Sequence, residues 1–150
     1  MKQSHTDAQA DAPVFTCLGG GHGLYQTLRA ARTAGAGAIN AVVTVADDGG
    51  SSGRLRRELS IVPPGDLRMA TAALTADSED GELWRVALQH RFGGHGAMAG
   101  HAVGNLILAG LAEELGSMQA ALDIVARWSG SVGRVIPVCE SPPVSYTHLT

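Results

Sequence analysis

The chain has 150 residues, of which 45% are apolar, 17% charged and 4% aromatic, with a formal charge of -3. That apolar content suits one globular core and excludes a wholly disordered chain. No apolar run approaches the roughly eighteen residues of a membrane span, and the weak negative charge argues against nucleic acid or a membrane surface as a partner. Residues 1–12 are polar and Ala-rich, without a basic start and an apolar stretch, and are expected to be a frayed tail rather than a secretory signal. Val14-Leu18 is a short apolar run between Pro13 and a glycine cluster, and predicts a buried strand. Gly19-Gly23 follows. Leu24, Leu28 and Ala31 then recur at helical spacing, predicting a helix over Leu24-Ala34 that Gly35-Ala36-Gly37 stops. Ile39-Val45, rich in β-branched residues, predicts a second strand. Strand, glycine turn, helix and strand in that order imply adjacent parallel strands with the helix on one face.

Ala46-Gly53 leaves the second strand, and a basic helical turn is expected at Arg54-Leu59. Pro63-Pro64-Gly65 breaks the chain, after which Asp66 is placed to cap a helix whose Leu67, Ala70 and Leu74 share a face. Leu83, Val86, Ala87 and His90 form a further helical stripe, with His90 expected to face the core. Phe92-Gly100 is a glycine-rich loop. Leu106-Leu115 is a nearly all-apolar helix ended by Gly116, and Ser117 caps a last helix with Leu122, Val125 and Trp128 on one side. Arg134-Val138 is a third strand. The fold class is therefore α/β, a Rossmann-like three-layer arrangement with a parallel sheet. Such sheets usually hold about five or six strands, so three describe the first half of a larger domain. A half-sheet also leaves an unpaired edge that invites aggregation. Cys17 lies in an apolar run and Cys139 far from it, which offers neither a zinc cluster nor a disulfide framework and suits a reducing cytoplasm.

The chemistry is concentrated in the glycine turns. Gly19, Gly20, Gly21, His22 and Gly23 join a strand to a helix N-terminus, where unpaired N–H groups and the helix dipole attract anions. The spacing matches neither GxGxxG nor a P-loop, so the alternatives are a phosphate-binding turn and a tight turn without a ligand. Asp47 and Asp48 end the second strand and should lie beside that first turn. One carboxylate could hold a sugar or ribose hydroxyl and the other a divalent ion or the loop itself; the plain alternative is an Asx-turn or cap. Gly49, Gly50, Ser51, Ser52 and Gly53 offer amides and hydroxyls. Arg54, Arg56 and Arg57 then crowd an expected helix start, where the dipole disfavours cations unless a phosphate is bound. Arg68 stands one turn into the next helix, where it could face the same ligand. His101 and Asn105 share a face if their helix starts near His101. They suit either a buried hydrogen bond or a hydroxyl- or base-binding pair.

Taken together, LGGGHGL (18–24), AVVTVADDGGSSGRLRREL (41–59), VPPGDLRMA (62–70), LQHRFGG (88–94), GHAVGNLILAGL (100–111) and GRVIPV (133–138) resemble the YvcK/CofD-like family. The wording of the two central segments is that of the YvcK branch. That branch implies a nucleotide-sugar-binding regulator of cell shape and wall synthesis during growth on gluconeogenic carbon, with ligands of the UDP-N-acetylglucosamine type. The CofD branch implies a 2-phospho-L-lactate transferase that uses a divalent metal such as Mg, which Asp47 and Asp48 would hold. The resemblance implies that Gly19-Gly23 and Gly50-Gly53 grip the diphosphate while Arg54 and Arg68 neutralise it, in a cytoplasmic protein for which a homo-oligomer at full length is one option. His22 stands where many members carry Thr. After Val138 the chain is expected to leave the family pattern, with 139–150 a non-native or unstructured tail.

Overall fold

The computed structural model describes residues 12–142. Three strands, β1 (Val14–Gly19), β2 (Ala38–Val43) and β3 (Arg134–Pro137), form one parallel sheet in that order. Helix α1 (Gly21–Thr33) crosses from β1 to β2. Between β2 and β3 come α2 (Gly50–Leu59), α3 (Gly65–Leu74), α4 (Glu79–Gln89), α5 (Val103–Leu115) and α6 (Met118–Trp128). This is the α/β, Rossmann-like arrangement expected. Gly19 pairs with Val43, and the Thr44 amide donates to the Gly19 carbonyl at 2.9 Å, so the turns after β1 and β2 leave the sheet side by side.

Burial alternates along every strand, as a two-residue side-chain period requires. Cys17, Ile39, Ala41, Val43 and Val135 point into the core, joined by Leu24, Leu28 and Ala31 of α1 in the predicted stripe. Leu28, Leu67, Leu74, Leu88 and Leu108 have no exposed surface, and each stabilises the fold by about 1.5–3 kcal/mol. The opposite face is open: Leu18, Val42 and Ile136 form one register row, with Leu18 75% exposed. The helices among the described residues therefore supply one of the two layers that flank a Rossmann-like sheet. Among the described residues no helix is long and apolar enough to cross a membrane.

Arg32 ties the helical layer together. Its guanidinium donates to the carbonyls of Ala73 (2.8 Å) and Thr75 (2.7 Å) at the end of α3 and pairs with Asp77 at 2.6 Å. A cation at a helix C-terminus satisfies carbonyls that the helix itself cannot. Ser117 caps α6 as expected, accepting from the Ala120 amide, and Gly116 ends α5 with φ 68°.

Several local expectations are corrected. Helix α4 turns a different face inward: Leu83 and Val86 are exposed, while Gly81 and Leu88 are buried. A side chain on Gly81 would lie 2.1 Å from the Ala76 carbonyl, so backbone contact at a glycine, not the apolar stripe, sets the rotation of the helix. His90 follows that rotation outward and is exposed, meeting Phe92 edge-on with ring centroids 5.8 Å apart. Trp128 is half-exposed and stacks on Trp84 at 6.0 Å. Asp66 does not cap α3; Pro64 holds that position, and the carboxylate instead accepts from the Thr44 hydroxyl at 3.2 Å. The expected tail is described at residues 12 and 139–142 alone, and 1–11 and 143–150 lie outside the described residues.

Candidate functional site: a cavity between two helix N-termini

Helix α2 begins at Gly50, four residues before the expected Arg54. Gly50 takes φ 44°, a value that glycine accepts readily, and so starts the helix directly off the second turn. The early start moves the arginines. Arg56 and Arg57 now sit in the last turn, where the dipole favours cations, so the conflict that a phosphate was to relieve does not arise. Both pair with Asp48, at 3.3 and 3.5 Å. Arg54 donates to the Ala99 carbonyl at 2.9 Å and does not line the cavity described below.

The two adjacent aspartates part company. Asp48 is held by two arginines of the helix that follows it. Asp47 turns the other way, where its Oδ1 accepts from the Gly49 amide at 3.0 Å in an Asx-type turn. A Cβ on Gly65 would lie 2.3 Å from both Asp47 Oδ2 and Ser52 Oγ. Glycine is thus what lets the start of α3 pack directly against the start of α2. The expected metal pair Asp47–Asp48 is not assembled, and among the described residues no group of three metal-ligating side chains occurs.

Between the two helix starts lies a cavity of about 320 Å³ lined by Asp47, Gly49, Gly50, Ser51, Ser52, Gly65, Asp66, Arg68, Met69 and Arg91. Of the expected site residues, Gly53 packs behind it, where a Cβ would meet the Asp48 carbonyl at 2.2 Å. His101 and Asn105 stand one hydrogen bond further back. Gly19, Gly20, Gly21, His22 and Gly23 do not line the cavity, and His22 is exposed. The first turn nonetheless touches the site's edge, since a Cβ on Gly20 would lie 2.2 Å from Asp66 Oδ2. Arg91 was missed by sequence reasoning. It belongs to no regular helix, and an isolated bridge to Ala102 brings it to the cavity.

Arg68 is the buried charge of the site, 4% exposed. Burial, and next the like charge of Arg91, push its pKa down to about 10 against the opposing pull of Asp47 and Asp66. It therefore stays a cation at neutral pH. Its Nε donates to Asn105 Oδ1 at 3.0 Å and its Nη1 to Gln89 Oε1. Asn105 Nδ2 donates to Ser51 Oγ at 3.0 Å, and Ser51 Oγ meets His101 Nδ1 at 2.9 Å. Helix α5 can approach this closely because Gly104 faces Arg68: a Cβ there would lie 2.8 Å from the Arg68 Cγ. The His101 pKa is lowered, first by burial and then by Arg54, with Glu58 opposing, so the imidazole is neutral at pH 7.

The α/β sheet thus carries, beyond the carboxyl ends of its strands, a polar cavity built on two helix N-termini, two guanidinium groups and two carboxylates. Residues 15–149 match the family model described as 2-phospho-L-lactate transferase CofD, and the chain belongs to that CofD/YvcK family. The proteins called "Putative gluconeogenesis factor" include similar chains from Mycobacterium leprae and Mycobacterium tuberculosis. The first is 64% identical over 127 residues, covering 85% of this chain; the second is 66% identical over 125, covering 83%. A Streptococcus pyogenes protein of the same name is 42% identical over 129 residues, covering 85% of this chain. The chain spans 35%, 36% and 38% of the lengths of these three curated relatives. A crystal structure from Bacillus halodurans, of a UPF0052 family member, is 38% identical, with a TM-score of 0.78 over 88% of this chain and 41% of its own.

Proposed function

We propose that this chain supplies the diphosphate grip of a nucleotide-sugar-binding protein, with ligands of the UDP-N-acetylglucosamine type. In this reading it is a cytoplasmic regulator of cell shape and wall synthesis during gluconeogenic growth, not a catalyst. One observation carries the ligand class: Arg68 and Arg91 stand close enough to repel each other at a cavity that also receives the amide ends of α2 and α3. An oxyanion there relieves the repulsion and takes up N–H donors that the helices cannot use. A volume of about 320 Å³ is near the low end for small-molecule sites, roughly 300–1,000 Å³, and suits a diphosphate whose base and sugar would extend beyond it. The regulatory role rests on the family resemblance and on the relatives' name.

A second reading has its own support. Asp47 and Asp66 also line the cavity, and among the described residues neither is held in an ion pair. A transferase of the kind that the family model describes would use these two carboxylates, rather than Asp47 with Asp48, to hold Mg²⁺. The ion would neutralise charge on a reacting phosphoryl group. Titration calorimetry of pyrophosphate, UDP and UDP-N-acetylglucosamine, with Mg²⁺ and with chelator, separates the two. The first reading expects metal-independent binding that Asp47→Asn strengthens about fivefold by removing a like charge. Binding that requires Mg²⁺ and vanishes in Asp47→Asn establishes the second.

A further inference from the structure

The hydrogen bonds behind the cavity have a fixed polarity. An arginine Nε–H can only donate, so Asn105 must turn its oxygen to Arg68 and its amide nitrogen to Ser51. One lone pair of Ser51 Oγ is thereby filled. Ser51 is 3% exposed, and its second hydrogen bond is to His101 Nδ1. A buried hydroxyl proton needs an acceptor, and Nδ1 of a neutral imidazole is one. Ser51, a residue of the cavity lining, then donates backward to His101 and keeps one lone pair free. When the imidazole takes up a proton, Nδ1–H becomes a donor. Both lone pairs of Ser51 are then occupied, and its hydroxyl proton is free to turn into the cavity.

We propose that His101 is a positioning residue that sets, through Ser51, whether the cavity floor offers an oxyanion a hydrogen-bond donor or an acceptor, so that oxyanion affinity rises when the imidazole is protonated. The inference rests on the reading of the cavity as an anion site. Arg54 and Glu58 of α2 act on the imidazole from one side. Arg68 lies beyond Asn105, Arg91 is bridged to Ala102, and His90 accepts the Val103 amide on its carbonyl. Arg54 and the burial of the ring oppose protonation, which places the change on the acid side of the usual histidine range.

Sulfate is a suitable probe because its charge does not change across the range. Titrating it into the chain between about pH 8 and about pH 4.5 should show affinity rising about tenfold as His101 protonates, the worth of one charge-assisted donor with the added positive charge. Ser51→Ala keeps the added charge but loses the donor, and its rise should shrink to about twofold or threefold. Ser51→Thr restores the hydroxyl and should restore the larger rise. Nitrogen NMR of the wild-type imidazole provides a readout that does not depend on either variant folding. At about pH 8 the proton should be on Nε2, and Nδ1 should gain one in acid. A Ser51→Ala profile that tracks the wild type, or an Nδ1 already protonated at about pH 8, overturns the proposal. Absence of sulfate binding at every pH overturns the anion reading and the affinity claim together, while the imidazole nitrogens still show separately whether the relay exists.

Discussion

The two turns that leave β1 and β2 begin as neighbours and look alike in sequence, yet the structure uses them differently. The first, Gly19-Gly23, carries one polar side chain, the exposed His22, and it reaches the cavity's edge where Gly20 and Gly21 approach Asp66. The second is wired into the fold. Asp47 receives the Gly49 amide, Ser52 packs on Gly65, and Ser51 joins a buried chain that runs through Asn105 to Arg68. Glycine in the first turn serves chain geometry. Glycine in the second serves close packing of two helix starts, and that packing shapes the cavity.

Arg68→Met tests the wired side most severely. It strands Asn105 Oδ1, a buried acceptor whose desolvation costs about 1–3 kcal/mol, and removes the buried cation. Chemical denaturation should register that loss, and pyrophosphate affinity should fall at least about tenfold. Unchanged affinity would mean that Arg68 is a structural strut and that the cavity is not an anion site. Gly53→Ala should come next, at about 1–3 kcal/mol, because its Cβ meets the backbone carbonyl of Asp48 at 2.2 Å and the first turn of α2 must shift to admit it. A variant with wild-type melting and wild-type pyrophosphate affinity would erase the contrast between the turns.

What the sequence made legible was periodic. The β1–α1–β2 unit follows from an apolar run, a three-to-four spacing and a β-branched run, each of which reports side chains buried on one face. Asp47 and Arg68 were legible as candidates because strand ends and helix starts are where ligands gather. Four things were hidden. The rotation of α4 depends on Gly81, which has no side chain for a periodicity to register. The opposite orientations of Asp47 and Asp48 depend on where α2 begins, and glycines at 49 and 50 look like loop until the left-handed φ of Gly50 is known. The Ser51–His101 contact joins residues fifty positions apart, and Arg91 reaches the cavity through an irregular loop, so neither has a local signature.

The smaller effects sharpen the same contrast from the first turn. Gly20→Ala brings a Cβ within 2.2 Å of Asp66 Oδ2 and 2.5 Å of Thr44 Oγ1, but both atoms end side chains that can swing aside. A loss of about 1 kcal/mol is expected, with the Asp66–Thr44 hydrogen bond as the casualty. Gly23→Ala should go the other way. Gly23 lies inside α1, has a negative φ, and has nothing within 4 Å of the added methyl. Alanine there lowers the backbone entropy of the unfolded chain without a clash, which should raise stability by about 0.5–1 kcal/mol. Pyrophosphate affinity should stay at the wild-type value, because this position neither lines the cavity nor touches a residue that does. A fall in affinity with stability raised would show that the first turn grips the anion after all, through amides that the methyl screens.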